Sequence, residues 1–258
     1  MKLISLNAWG GRLFEPLIEL IKQTSPDTDI YCFQEIFSTA SKVKENSGCR
    51  TNLYQELTNL LKDHQGYFAP VQENYLVGSF EKTFTNFPLS SGQAIFIRKN
   101  IKVLASGDFF VFGQKNSLDP NIRSSVPRTV QFLKLETTIP LTVCNLHGIW
   151  TKTKDDTQSR IKQSEMVLDF LKKQSRESIV CGDFNLNPDT ESIAMLEEKL
   201  KNLIKIYKIP TTRNKFSPKF QENKFADYIF VSNGIKVKDF QVPNVNISDH
   251  LPMILEFS

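Results

Sequence analysis

The chain has 258 residues, with 32 Lys plus Arg against 28 Asp plus Glu, and 40% of its residues are apolar. That mixture excludes collagen, a disulfide-rich miniprotein and a disordered tail, and the length suits a chain that buries a large core without staples. A net charge of +4 permits a polyanionic or phosphorylated partner without showing one.

In chain order, residues 2–6 read as a strand. Residues 14–21 read as a helix with apolar positions 14, 17, 18, 20 and 21. Residues 29–34 form a short buried strand, and 53–61 a helix with Leu53, Leu57, Leu60 and Leu61 on one face. His64 ends that helix and has a structural reading there. A hairpin is expected for 93–98 with 101–112, turning at Lys99-Asn100, and a second for 129–135 with 141–146. Residues 156–173 form a long amphipathic helix, 178–181 a buried strand ending at Gly182, and 189–200 a helix with Thr190 in its first turn. Strands at 225–231 and 235–242 surround the Ser232-Asn233-Gly234 turn, and 253–257 is the last strand. No Pro/Gly/Ser-rich linker divides the chain. One domain over 1–258 is expected, with two packed sheets and helices outside.

Three segments fit neither element type. They are 71–91, with Tyr75, Phe80, Phe84 and Phe87; 113–127, with Arg123; and 211–224, with Arg213, Lys215, Lys219 and Lys224. Loops this long are usually functional or disordered. The four cysteines lack metal-finger and Cys-x-x-Cys spacing, and three sit in apolar runs, which reads as a reducing compartment. No run approaches the ~18 apolar residues that span a bilayer. Asn7 interrupts the first apolar stretch, so that stretch reads as a strand and not a signal peptide. A cytoplasmic protein is expected.

Six segments place polar or ionisable residues at the end of an apolar run. They are Leu6-Asn7-Ala8-Trp9-Gly10, Phe33-Gln34-Glu35-Ile36, Asn145-Leu146-His147-Gly148, Gly182-Asp183-Phe184-Asn185, Phe225-Ala226-Asp227-Tyr228 and Ser248-Asp249-His250-Leu251-Pro252. Taken singly, each has an ordinary reading: Glu35 a surface cap, Asn7 a turn residue, Asp183 a helix cap, Asp227 an edge charge, His147 a core histidine, Asp249-His250 a turn. Strand ends are where open sheets place ligands. If the six converge, four carboxylates share one cleft and need a compensating cation. Oxygen donors suit Mg²⁺ or Mn²⁺ better than zinc.

The six segments, in this order, resemble the endonuclease/exonuclease/phosphatase superfamily, which includes deoxyribonuclease I, exonuclease III-type abasic endonucleases, neutral sphingomyelinases and inositol polyphosphate 5-phosphatases. The resemblance runs from Asn7 to His250, and Gly182-Asp183-Phe184-Asn185 and Ser248-Asp249-His250 are its most specific pieces. It implies a four-layer α/β sandwich of two mainly antiparallel or mixed sheets flanked by helices.

The resemblance also implies roles. Glu35 would be the main Mg²⁺ ligand, with Asn7 and Asp249 completing the metal environment. Asp183 would orient or deprotonate the attacking water, and Asn185 would hold that water or a phosphate oxygen. His250 would bind the scissile phosphate with Asp227 fixing its ring, and His147 would donate to a second phosphate oxygen. Either Asp183 or His250 is the base. Arg128, at the start of a strand, is a further phosphate contact or a surface residue.

Abasic endonucleases usually carry a Tyr in the region of His147. This chain is more similar to the deoxyribonuclease I, sphingomyelinase and tyrosyl-DNA phosphodiesterase branches, without a signal peptide or disulfide in the sequence. The leading expectation is a monomeric, Mg²⁺-dependent phosphodiesterase acting on nucleic acid. Arg213 and Lys215 in the basic loop would follow a phosphate backbone, and the aromatics of 75–87 would stack on bases. A small-molecule or lipid phosphoesterase and an inert binding module are the alternatives.

Overall fold

The computed structural model describes residues 1–76, 84–174, 176–218 and 220–258. Phe80 and Lys219, and the side chain of Arg123, lie outside what it describes. The elements run β1 (Lys2–Asn7), α1 (Phe14–Thr24), β2 (Ile30–Ser38), β3 (Glu45–Asn46), β4 (Cys49–Arg50), α2 (Leu53–Leu60), β5 (His64–Glu73), β6 (Ser90–Arg98) and β7 (Lys102–Phe112). They continue as β8 (Arg128–Glu136), β9 (Leu141–His147), α3 (Gln158–Lys172), β10 (Glu177–Asp183), α4 (Glu191–Glu197), β11 (Lys201–Asn202), α5 (Leu203–Ile206), β12 (Asp227–Val231), β13 (Val237–Gln241) and β14 (Met253–Phe257).

Two mixed six-stranded sheets result, one ordered β13-β14-β1-β2-β6-β5 and the other β11-β12-β10-β9-β8-β7; β3 and β4 make a separate short ribbon. Strand alternation assigns the layers. Ile4, Leu6, Tyr31 and Phe33 pack on Leu17 and Ile21 of α1 and Leu53 and Leu57 of α2. Their neighbours Leu3, Ile30 and Cys32 join Val130, Val143 and Ile179 of the second sheet in the larger cluster, which also takes in Val167 of α3 and Ile193 of α4. Helices therefore cover the outer faces of two sheets packed face to face, the four-layer sandwich expected from the sequence.

A polar network crosses the apolar interior between the sheets. Gln34 Nε2 donates to Asn145 Oδ1 at 2.6 Å, Asn145 Nδ2 donates to the Phe33 carbonyl at 3.1 Å, and Gln93 Nε2 donates to the Asn145 carbonyl at 2.6 Å. All three residues are buried. Asn145→Leu removes the 2.6 Å acceptor of the buried Gln34 amide, leaving it only the longer bond to the Cys32 carbonyl at 3.2 Å, and removes the Asn145 amide's own bonds, so it is expected to cost about 2–3 kcal/mol. Urea unfolding measures this; a change under about 0.5 kcal/mol contradicts it.

Two local assignments differ from the sequence reading. The expected 93–98/101–112 hairpin does not form. β6 pairs with β2 and β5 in one sheet, whereas β7 pairs with β8 in the other, so the chain crosses between sheets at 99–101. Alternation identifies a strand but not its partner. The structure also adds β5, in a region read as a helix end and the start of a loop. His64 opens that strand, buried, with Nε2 2.9 Å from the Thr28 carbonyl, which keeps its structural reading. Pro70 and the polar residues of β5 hide its strand character. Pro70 is tolerated because β5 is an edge strand with a register shift between Pro70 and Gln72. The second expected hairpin is present as β8–β9.

Candidate active site

Strand register builds the site. His147, Asp183 and Asp227 are cross-strand partners in a single row over β9, β10 and β12. Moving two residues along each strand, as the pleat requires, keeps them on the face of Asn145, Cys181 and Ile229, towards the first sheet. Asn7, paired with Gln34 at the end of β1, faces this row from that sheet. Its Nδ2 donates to Asp183 Oδ2 at 3.0 Å and to Glu35 Oε1 at 3.3 Å, and its Oδ1 accepts the Trp9 N–H at 2.9 Å. Asn7 therefore meets the two carboxylates with its nitrogen, and its oxygen is already bonded to the main chain.

Glu35 is aimed into the same cleft by a bulge in β2, where the register with β6 shifts between Phe33 and Ile36. Its φ is +55°, and Trp9 and Asn185 are also in the left-handed region at +50° and +56°. Backbone strain of this kind persists only where surrounding contacts impose it, and here three instances border one cluster. Burial, then the nearby Asp249, pushes the Glu35 carboxyl up to about 7; the Asn7 hydrogen bond opposes that shift.

The segment before β14 contributes Ser248, Asp249 and His250. His250 Nδ1 lies 2.9 Å from both carboxylate oxygens of Asp227, and Arg213 Nη1 approaches Nε2 at 2.6 Å. A guanidinium only donates, so Nε2 accepts and Nδ1–H donates to Asp227, which fixes the neutral tautomer. Burial, reinforced by Arg213, lowers His250 to about 4. Burial raises Asp227 to about 7 against the opposing pull of Arg213 and Lys154. Arg213 Nη2 also donates to Asp249 Oδ2 at 2.7 Å.

A parallel arrangement stands on the other flank. Arg128 Nη1 lies 2.8 Å from His147 Nε2, which is itself 3.8 Å from Glu35 Oε1 and from Asp183 Oδ2. Burial, then Arg128, holds His147 well below the ordinary histidine range. Asp183 Oδ1 accepts the Asn185 N–H at 2.9 Å, and its Oδ2 lies 3.6 Å from His250 Nε2, so Asp183 stands between the two imidazoles.

Asn7, Glu35, His147, Asp183, Asn185, Asp227, Asp249 and His250 thus come together, with Arg128 and Arg213 on opposite sides. Lys215 does not join them. It is exposed, its ammonium lies 5.4 Å from the Phe216 ring centroid, and no hydrogen bond or ion pair among the described residues ties it to the cluster. In an irregular loop, sequence position alone does not aim a side chain.

The donor set fits a hard divalent cation. Glu35, Asp183 and Asp249 are buried or nearly so and close enough to raise Glu35, and ligand atoms of Asp183, Asp227 and His250 all lie within 4.8 Å of one another. Two site-shaping residues were missed by sequence reasoning. Arg160 is fully buried in α3, and Lys154 lies on the preceding loop. Lys154 falls in the Thr151-Lys152-Thr153-Lys154 run between β9 and α3, which has no assigned element or role in the sequence reading. Arg160, Gln163, Ser164 and Val167 form the buried face of α3, a mostly polar stripe at helical spacing that offers a signal only in retrospect.

The Endonuclease/Exonuclease/phosphatase family matches residues 4–250 of the chain. The chain belongs to this family. Solved structures share its fold over the whole chain. An endonuclease/exonuclease/phosphatase from Bacteroides vulgatus is 18% identical, with TM-score 0.73 and 98% of that chain covered. The Bacteroides thetaiotaomicron mannosyl-6-phosphatase is 19% identical, with TM-score 0.71 and 99% covered. The human Nocturnin catalytic domain, solved with a bound sulfate anion, is 21% identical, with TM-score 0.66 and 93% covered. At these identities the likeness is one of fold. No curated sequence matches the chain. No described helix is long and apolar enough to cross a membrane. The chain therefore has the phosphoesterase fold of its family, and the candidate site lies where the six segments meet.

Proposed function

We propose that this protein is a divalent-metal-dependent phosphodiesterase whose substrate is nucleic acid. The observation that carries this reading is the His147–Asp183–Asp227 row facing Asn7 and Glu35 across the two sheets, with a cationic side chain bonded to a histidine on each flank. Glu35 and Asp249 would hold Mg²⁺ or Mn²⁺, with Asn7 ordering the carboxylates. When bound, the cation neutralises charge on the phosphate and on the leaving oxygen.

The protein groups divide the remaining work. Asp183 accepts a proton from the attacking water, positioned by the hydrogen bonds from Asn7 and from the Asn185 main chain. The new P–O bond forms as the bond to the leaving oxygen breaks, and that oxygen takes a proton from solvent. Arg128 and Arg213 exchange their imidazole acceptors for non-bridging phosphate oxygens. His250, held by Asp227 and next to the new negative charge, then takes a proton from solvent and donates from Nε2. His147 acts likewise on the other side, and Asn185 donates to a phosphate oxygen. Prearranged donors of this kind typically contribute about 2.7–4 kcal/mol each.

The loop that carries Arg213 continues to the exposed Lys215, a cationic surface that a neighbouring phosphate of a polynucleotide can meet. Phe84, 62% exposed and edge-on to Tyr75 with centroids 5.1 Å apart, offers a surface on which a base can stack. A small phosphate ester is the second reading. It is favoured by the partly open cleft beside Glu35, His147 and Arg128, walled in part by Phe37, Val71 and Pro127.

Single-stranded DNA, RNA, bis(p-nitrophenyl) phosphate and sphingomyelin, each assayed with Mg²⁺ and with EDTA, separate these readings. The nucleic-acid reading predicts cleavage of a polynucleotide that EDTA stops, with a KM that rises steeply between 50 and 200 mM salt, a range over which phosphate contacts weaken by about 10³ or more when six or so are made. Turnover of only the small diester or the lipid, with a flat salt profile, contradicts it.

A further inference from the structure

We infer that Lys154 is a third phosphate-binding cation of this site, held in position by the buried Arg160. The inference rests on the phosphoesterase reading and adds a group to it.

Arg160 is a cation with no solvent exposure, and in the structure its guanidinium hydrogen-bonds main-chain carbonyls. Nε and Nη2 donate to the Ile149 carbonyl at 3.2 and 3.0 Å, and Nη2 also donates to the Asn185 carbonyl at 2.7 Å. Nη1 donates to the carbonyls of Thr153 and Asp155 at 3.1 and 2.5 Å. Those two residues flank Lys154, so one guanidinium holds the chain on both sides of the lysine. The Lys154 carbonyl itself accepts the Asn187 N–H at 2.9 Å. Burying a charge is costly unless its donors are satisfied. Here the donors are satisfied by the two loops that carry Lys154 and Asn185, which ties both side chains to one rigid centre.

The fixed main chain sends the Lys154 ammonium to the carbonyl of Phe225, at 2.5 Å, two residues before Asp227. There burial, then Arg213, lowers the ammonium to about 8, and Asp183, Asp227 and Asp249 oppose that shift. An ammonium has three donors, and the partner of this one among the described residues is a single neutral carbonyl. A half-buried cation on the His250 side, with donors to spare and Arg213 as a neighbour, is suited to a phosphate oxygen. Arg213 and Lys154 then form a pair of cations on one flank, opposite Arg128 on the other.

The test uses the full chain and inorganic phosphate as the probe, titrated by calorimetry in Mg²⁺ buffer, with thermal unfolding of every variant. Lys154→Met keeps the apolar stem and removes the charge. It is expected to weaken phosphate binding about tenfold, as befits one charge-assisted hydrogen bond, with Tm within about 2 °C of the wild type. Lys154→Arg is expected to recover most of the affinity. Arg160→Met is expected to lose at least as much affinity, and adding Lys154→Met to it is expected to cause little further loss, because the lysine is already misplaced. Should Arg160→Met not fold, the Lys154 variants decide alone. Phosphate affinity unchanged in Lys154→Met overturns the inference and leaves the phosphoesterase reading intact. A wild type that binds no phosphate overturns both.

Discussion

Asp183→Asn is expected to lower phosphodiester turnover by about three orders of magnitude and to leave the fold in place. General base catalysis contributes about 10²–10⁴-fold, and Asp183 is the carboxylate with an oxygen between the two imidazoles, 3.8 Å from His147 Nε2 and 3.6 Å from His250 Nε2. An asparagine keeps the shape, but its single amide oxygen can accept from only one of the Asn7 and Asn185 donors, and it cannot take a proton from water. Steady-state kinetics on bis(p-nitrophenyl) phosphate should show the loss in kcat, with KM changed severalfold at most. The stability of the variant is expected to match or exceed that of the wild type, since one of several crowded acids is neutralised. Near-normal kcat removes Asp183 from the role of base and gives that role to His250.

Glu35→Gln has the second largest expected effect, and it acts on activity and stability in opposite directions. The side chain is 17% exposed, and its carboxyl is raised to about 7 from an ordinary 4.5 by burial and by Asp249. A raised carboxyl pKa means that the folded protein prefers the protonated form. The associated stability is complete below about pH 4.5 and is lost as pH rises through about 7, on the order of 3 kcal/mol in the absence of metal. Asp227, also raised to about 7, adds to the same trend. The lowered His250 and His147 act in the opposite sense as pH rises, so the test is the difference: metal-free Glu35→Gln should gain stability relative to metal-free wild type between pH 5 and pH 8. Mg²⁺ is expected to raise the Tm of the wild type at pH 8 and to have little effect on the variant, whose turnover should fall at least a hundredfold. A variant with wild-type Mg²⁺ response would place the ion elsewhere, on Asp183, Asp227 and His250.

Much of this site is legible because strand ends leave a mark in sequence. An apolar run that stops at Asn7, His147 or Asp183 reports both the strand and the place where its face turns from core to cleft, whereas Glu35 interrupts β2 at a bulge and the strand continues to Ser38. Asp227 and the Ser248–His250 segment mark the same end of the sandwich from the opposite chain direction. What alternation does not report is pairing. β6 and β7 are adjacent in sequence with a turn between them, yet the structure sends them to different sheets. β5 was hidden by His64, Gly66 and Pro70, residues that an edge strand with a bulge accommodates.

The supporting residues were less visible for a different reason. Arg128 and Arg213 were named as phosphate contacts, but nothing in a linear pattern shows that each one meets a histidine Nε2. Lys154 and Arg160 leave no mark of this kind, because a lysine in a polar loop and an arginine on a helix have the local pattern of solvated surface whatever their tertiary contacts. The role of Arg160 lies in its carbonyl partners, which belong to two separate loops. Asn7 fell where its sequence position puts it, but the orientation of its amide depended on Trp9, two residues further on.

The most direct measurement is hydrolysis of bis(p-nitrophenyl) phosphate by the purified wild-type chain, with Mg²⁺ and then with EDTA, beside the Glu35→Gln protein. A metal-dependent phosphoesterase centre predicts p-nitrophenol release that EDTA abolishes, that Mg²⁺ or Mn²⁺ restores, and that Glu35→Gln reduces at least a hundredfold. Release that survives EDTA, or that Glu35→Gln leaves unchanged, contradicts the assignment of this cleft.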